Sequence, residues 1–356
     1  MGALPALPMS RVTLQTIADE VGVSRMTVSN AFSRPDQLSA ALRERILATA
    51  EQLGYVGPDP AARALRSGTT GAVGIVLTDS AITAFTDEVA TRFFGAIATE
   101  LAPTGLALTL VPAVELDGRV PARDVAMDAA LLYHCDPTSP AATWLVKRNL
   151  PLVYVDQFPR DGVTCINVAD RAGARAAAQH LVELGHRHVG AITFSVRPGA
   201  DVTDPTPIDT DGFGASERLR GWSEALDDAG ITPPTFRTND TSAAGARTAL
   251  DRLLAADPQL TAVLCFSDVM ASSLVAAAED RGLTVPGDLS VVGFDDTPFA
   301  AHTRPRLTTV HQDVLEKGRL AARAVISLLR DPQIAAEHVV LPTELVVRDS
   351  TAPPPS

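Results

Sequence analysis

The sequence predicts an all-α head followed by a large α/β body of parallel, doubly wound sheets. Three observations lead there. Apolar residues recur at helical spacing through the first 55 positions, short apolar runs alternate with amphipathic segments from about residue 72, and charge is split unevenly between the two parts. A length of 356 residues gives room for two or three domains. Residues 1–68 hold seven Arg and six Asp/Glu, whereas the rest is strongly acidic within a net charge of -12. A head that touches nucleic acid then needs its acidic body held away from the phosphates.

In the head, Leu14 to Val21 reads as a short helix with Ile17, Ala18 and Val21 on one face. Gly22 breaks it, and Ser24 is a good N-cap for a second helix running to Phe32. Arg34-Pro35-Asp36 is a loop, and Ser39 caps a third helix carrying Leu42, Ile46, Leu47, Ala50 and Leu53 at helical spacing. Pro58-Asp59-Pro60 then stops any helix, leaving Ala61 to Arg66 about two turns before Ser67-Gly68. A helix that short is marginal in water and needs a partner to become ordered.

The body reads as strand and helix in alternation. The runs AVGIVL (72–77), LALTLV (106–111), AALLY (129–133), LVYV (152–155), HVGAITF (188–194), TAVLCF (261–266) and LSVVGF (289–294) look like buried parallel strands. Amphipathic segments at 87–101, 171–184, 217–229, 243–255, 268–281 and 313–330 separate them. So many βα units imply two similar lobes, with ligands expected outside the carboxyl ends of the strands.

Several function classes fall away. No run of about 18 apolar residues is present, and the Met1–Ser10 start is too short and Pro-broken for a secretory core, so no membrane association is expected. Cys135, Cys165 and Cys265 form an odd set without a CxxC, which argues against a disulfide framework or a cysteine zinc site and fits a reducing cytoplasm. Gly71-Ala72-Val73-Gly74 lacks the rest of a dinucleotide fingerprint. His186 and His188 form an HxH pair at a helix-to-strand turn rather than a metal site. No catalytic triad assembles at motif spacing, Pro137 to Pro140 reads as a loop, and no cofactor is called for.

The segment LQTIADEVGVSRMTVSNAF has helix–Gly turn–helix arithmetic: one helix braces on the DNA backbone while the next presents its first turns to base edges. A three-helix bundle without DNA fits the apolar pattern equally well. The wider run VTLQTIADEVGVSRMTVSNAF…RERI…AEQLGYV…PAARALRSG resembles the N-terminal region of the LacI/GalR family of bacterial repressors. The body blocks LVELGHRHVGAITF, RLRGWSEAL, SDVMA, LTVPGDLSVVGFDDTPFA and PRLTTVHQD are similar to that family's, in the same order.

That resemblance covers nearly the whole chain. It implies a helix-turn-helix head at 1–57, a hinge helix at 58–68, a two-lobed periplasmic-binding-protein-like core at 69–350 and a disordered tail at 351–356. Lobe 1 would take about 69–166 and 311–330, and lobe 2 about 167–310 and 331–350, with crossings near Ile166, Val310 and Arg330. The protein would be a homodimer on a palindromic double-stranded operator, answering to a small polar effector such as a sugar.

Carried over position by position, Arg25, Met26 and Asn30 match base-contacting residues, while Thr27 and Ser29 match phosphate or base contacts, with Thr13 and Ser24 beside them. Arg25 suits bidentate reading of guanine and Asn30 of adenine, whereas Met26 offers only apolar contact. For Asn30, facing solvent or a phosphate is the alternative. Leu65 matches the leucine that wedges into a central base step, with Ala62 and Arg63 alongside; a lobe contact is its alternative. For the effector, Asp156, Arg218, Asp268 and Asp295 match pocket positions, and carboxylates with an arginine fork suit a polyhydroxy ligand. An Asp after a strand is equally often a helix cap. Phe85 is placed either to stack on the ligand or in the core, Asp240 stands where relatives put an aromatic, and the polar loop 195–215 is placed as a pocket rim. The rival readings are a small-molecule receptor with no regulatory role, and an α/β sugar or nucleoside enzyme.

Overall fold

The computed structural model describes residues 12–355 apart from 58, 78–82, 114, 116, 135–138 and 195–211. It divides into two compact units, Met1–Thr70 and Gly71–Ser356. In the first, α1 (Leu14–Val21), α2 (Arg25–Ser33) and α3 (Ala40–Gln52) enclose a core of Ile17, Ala18, Val28, Ala31, Ile46 and Ala50. Thr13, Ser24 and Ser39 cap the three helices by accepting from the N–H groups of Thr16, Thr27 and Leu42. Gly22 ends α1 with φ at 75°, a conformation that glycine adopts without strain and that turns the chain into α2.

The hinge segment is helical as α4 (Pro60–Ser67). The partner such a short helix needs lies within the same unit: Arg66 Nη1 donates to Ser29 Oγ on α2 at 3.1 Å. Ser67 Oγ closes the last turn on Arg63 O at 3.0 Å.

The second unit contains the two lobes. Lobe 1 runs β1 (Ala72–Leu77), α5 (Thr83–Thr86), α6 (Glu88–Leu101), β2 (Ala107–Pro112), α7 (Pro121–Asp124), β3 (Ala129–Tyr133), α8 (Pro140–Lys147), β4 (Leu152–Val155) and β5 (Thr164–Val168). Lobe 2 runs α9 (Asp170–Glu183), β6 (Val189–Phe194), α10 (Phe213–Asp227), β7 (Thr235–Thr238), α11 (Ala243–Ala256), β8 (Ala262–Cys265), α12 (Asp268–Glu279) and β9 (Ser290–Val292). The chain closes with β10 (Thr309–Gln312), α13 (Val314–Arg330), β11 (His338–Leu341) and β12 (Thr343–Val346). The lobe 1 sheet is parallel in the order β11-β5-β4-β3-β1-β2, and the lobe 2 sheet is parallel in the order β7-β6-β8-β9. Apolar clusters cover both faces of each sheet, so the strands read as continuous apolar runs.

The chain crosses between lobes after β5, after β10 and after β11. The third crossing therefore falls at Pro342, not near Arg330: β11 pairs in parallel with β5 and stays in lobe 1 before β12 pairs with β10. All three crossings pack together. Ala169 N donates to Leu341 O at 2.8 Å, Thr343 Oγ1 donates to Ala169 O at 3.0 Å, and Gly173 leaves room for Val310 and Thr343.

Two further expectations are corrected. The tail is not disordered over 351–355, because lobe 2 supplies hydrogen-bond partners: Ala352 N donates to Ser290 Oγ at 3.1 Å, and Ala352 O accepts from His186 Nε2 at 2.9 Å. Thr351 Oγ1 bonds His180 Nε2 and Thr308 Oγ1, each at 3.0 Å. Of the Pro137 to Pro140 stretch, 137 and 138 lie outside the described residues, while Ser139 caps α8 and Pro140 takes its first helical position. Among the described residues no helix is long and apolar enough to cross a membrane, and no group of three or more metal-ligating side chains is present. His186 and His188 are instead bonded to Thr261 and Asp257.

Candidate functional site

Where the two lobes of the second unit meet, polar residues stand just past the carboxyl ends of strands. His134 follows β3, Asp156 follows β4, and Asp295 with Asp296 follows β9. All four have positive φ, at 48°, 52°, 116° and 52°. Such backbone is costly for residues with a β-carbon and clusters where side chains must be aimed at a site. Here it turns the chain away from each strand at the mouth between the lobes.

Five charged groups come together there. Arg218 on α10 donates from Nε to Asp170 Oδ1 at 2.8 Å and from Nη1 to the Phe266 carbonyl, and lies 3.5 Å from Asp295 Oδ1. Its guanidinium plane sits 3.5 Å from the Phe294 ring centroid and 4.4 Å from that of Phe266. Lys317 on α13 donates to Asp156 Oδ2 at 2.6 Å and to Gln312 Oε1 at 3.0 Å, and Gln312 Nε2 donates to Asp295 Oδ1 at 2.7 Å. His134 Nε2 lies 3.1 Å from the same Asp156 oxygen. The result is one connected line of polar groups from Asp156 in lobe 1, through the crossing strand β10, to Asp170 in lobe 2.

Burial sets the charge states. It pushes Asp156 upward, but Lys317 and His134 outweigh it and hold the carboxyl well below its ordinary range. Burial raises Asp295 well above the ordinary value and raises Asp170, in each case against the pull of Arg218. Each of the two buried cations is thus held by carboxyl groups of the cluster itself, Lys317 by Asp156 and Arg218 by Asp170. Two of its buried oxygens, Asp156 Oδ1 and Asp170 Oδ2, have no hydrogen-bond partner.

The structure brings Asp156, Arg218 and Asp295 together and sets Asp268 near enough to help push the Asp295 carboxyl up. Asp268 itself is engaged within lobe 2, accepting from Thr309 Oγ1 at 2.5 Å and from Thr297 N at 2.9 Å, so it ties the end of β10 to the loop after β9. Phe85 is 73% exposed on α5, which excludes the core alternative. Asp240 is exposed and accepts from Ser242 N at 2.9 Å. Of the expected pocket rim, 195–211 lies outside the described residues. Lys317, Gln312, Asp170 and His134 were missed. Lys317 did leave a signal: a lysine in core register between Val314 and Ala321 on an amphipathic helix.

In the first unit, α2 presents Arg25 and Met26 to solvent, the latter 66% exposed, with Thr27 half-buried. Asn30 is also half-buried and donates from Nδ2 to Gln37 Oε1 at 3.1 Å. Ser29 faces inward onto Arg66, while Thr13 and Ser24 sit at the exposed starts of α1 and α2. On α4, Ala62, Arg63 and Leu65 are exposed, Leu65 at 89%.

A helix-turn-helix head followed by a two-lobed α/β core is the build of a DNA-binding transcriptional regulator. Comparison with known proteins makes the family specific. Residues 13–57 match bacterial regulatory proteins of the lacI family, and residues 178–351 match the periplasmic binding protein-like domain. The HTH-type transcriptional regulator Rv3575c of Mycobacterium tuberculosis is 38% identical, covering 98% of this chain and 99% of its own. The structure of a transcriptional regulator CelR–cellobiose complex is similar at TM-score 0.66 and 27% identity, over 96% of this chain and 100% of that one. The lac repressor dimer bound to operator and the anti-inducer ONPF matches at TM-score 0.76 and 25% identity, over 96% and 100% of the two chains. This chain belongs to the lacI family of DNA-binding transcriptional regulators.

Proposed function

We propose that this regulator is a repressor that binds a palindromic operator as a homodimer and takes a small polyhydroxy effector, a sugar or sugar-like metabolite, between its lobes. The observation that carries the effector reading is the pair of buried, partnerless oxygens, Asp156 Oδ1 in lobe 1 and Asp170 Oδ2 in lobe 2. Buried acceptors are almost always satisfied, and leaving one empty is costly. Two ligand hydroxyls satisfy both and draw the lobes onto one molecule. Arg218 and Asp295 fix its orientation from lobe 2 through a planar fork of donors and an adjacent acceptor. Cellobiose in the CelR structure and the operator-bound lac repressor dimer support the sugar and operator readings.

On DNA, Arg25 and Asn30 read base edges, Met26 gives apolar contact, and Thr13, Ser24 and Thr27 hold phosphates, whereas Ser29 is buried against Arg66 and serves the head's own packing. Ala62, Arg63 and Leu65 of α4 enter the minor groove. Effector and operator favour different lobe arrangements, so each changes the affinity for the other by the same factor.

A thermal-shift screen of mono- and disaccharides, polyols and nucleosides tests this, with each hit retested on operator binding. At least one hit is expected to change operator affinity. Arg218→Ala and Asp295→Ala are expected to lose that response and keep operator binding within a few-fold. Wild-type effector affinity in both variants overturns the pocket assignment.

A further inference from the structure

We propose that the cleft between the lobes selects polyhydroxy effectors without negative charge and rejects their phosphate esters and uronic acids, because the buried Lys317 and Arg218 described there are already paired with its own carboxyl groups, while two buried carboxyl oxygens are left without a donor. The inference rests on the cleft being the effector site and adds the chemical form of the ligand that it takes.

Neither cation is laid out as an anion receptor. Lys317 has its ammonium on Asp156 Oδ2 and Gln312 Oε1, with the Phe93 ring 5.9 Å away, and its side chain is 2% exposed. Arg218 is paired with Asp170, hydrogen-bonded to the Phe266 carbonyl, close to Asp295, and bordered by two aromatic rings. The side chains of Asp156 and Asp170 are 3% and 1% exposed, so the empty oxygen of each is a fixed feature of the interior rather than a solvated surface group.

An ionised carboxylate only accepts hydrogen bonds. A hydroxyl on the ligand meets that need from both lobes. A phosphate ester brings close to two negative charges at neutral pH and no hydrogen to donate. Seated here, it would face the ionised Asp156 and the Asp170 carboxyl across a poorly screened interior. Capturing the anion would require Arg218 or Lys317 to release a carboxylate, which would leave that carboxylate buried and unpaired. An ammonium on the ligand carries the opposite sign and adds donors, so amino sugars are accepted. The regulator therefore reads a metabolite before any phosphoryl-transfer step acts on it.

The test is calorimetry and thermal shift on the full chain with matched sets: glucose, glucosamine, glucuronate and glucose 6-phosphate, then ribose and ribose 5-phosphate, then each hit from the wider screen beside its own phosphate ester. Hits are expected among the neutral and amino members, with the matched phosphate at least 100-fold weaker. Asp156→Asn and Asp170→Asn should each narrow that ratio at least tenfold, whatever they do to absolute affinity, since a purely structural defect moves both ligands alike. A phosphate ester that binds as tightly as its neutral parent overturns the charge-selection proposal and leaves the effector reading standing. If no member of any set binds, the effector reading itself falls, and this proposal with it.

Discussion

Lys317 Nζ on α13 donates to Asp156 Oδ2 past the end of β4 at 2.6 Å, an ion pair spanning 161 positions with both side chains all but fully buried. Removing one partner of such a pair strands the other charge in the interior, which costs far more than the pair contributes. Lys317→Met is therefore expected to destabilise the protein by about 3–5 kcal/mol at neutral pH. Adding Asp156→Asn should recover most of the loss. Denaturant unfolding of the two single variants and the double variant measures both effects, and additive losses would mean the two groups do not depend on each other.

The pH profile should carry the signature of Asp268. Burial pushes its carboxyl up to about 6, against the hydrogen bonds from Thr309 and Thr297. In the unfolded chain an Asp titrates near 3.9, so between roughly pH 4 and 6 the folded state holds more protons than the unfolded state. Stability attributable to this group therefore falls as pH rises through that window and is level above it. Asp156 works the other way, its contribution being lost as pH falls below the ordinary carboxylate range. Subtracting the profile of Asp268→Asn isolates the first effect, expected at about 3 kcal/mol across the window. A difference that stays constant with pH contradicts it.

Gly221 sets the spacing of the two helices that carry Asp170 and Arg218. A β-carbon there would overlap the Arg171 carbonyl and crowd the Arg175 amide, both backbone atoms of α9. Gly221→Ala should cost about 1–3 kcal/mol of stability, and it should weaken the effector response by separating the Arg218–Asp170 pair. Unfolding curves and a ligand titration check this together. A stable variant with a wild-type response would show that the close helix contact is dispensable.

Leu65 should matter on DNA and nowhere else. It is 89% exposed on α4, so Leu65→Ala is expected to change stability by no more than about 0.5 kcal/mol. Specific operator affinity should fall at least tenfold while salt-sensitive binding to random DNA survives. Fluorescence anisotropy at two salt concentrations separates the two modes, and an equal loss on both DNAs would reassign Leu65 to general backbone contact.

By itself the sequence determined the head, the layered body and most element positions. Caps at Ser24 and Ser39, the turn at Gly22 and the long buried strands and amphipathic helices are local signals with a fixed period, and they stand where the pattern puts them. The resemblance also singled out Asp156, Arg218 and Asp295, which the fold places in one buried cluster. What remained hidden was short or long-range. β5, β7, β10, β11 and β12 mix polar with apolar residues within four or five positions, so no apolar run marks them, and β11 joins lobe 1 only because Leu341 and its neighbours pair with β5 far earlier in the chain. That Thr297 and Thr309 hydrogen-bond Asp268 is likewise visible only in the fold. Only tertiary structure could place Lys317, Gln312 and Asp170 on one line of hydrogen bonds and ion pairs, because the three crossings that bring the lobes together are set by pairings between distant strands. No local pattern encodes those.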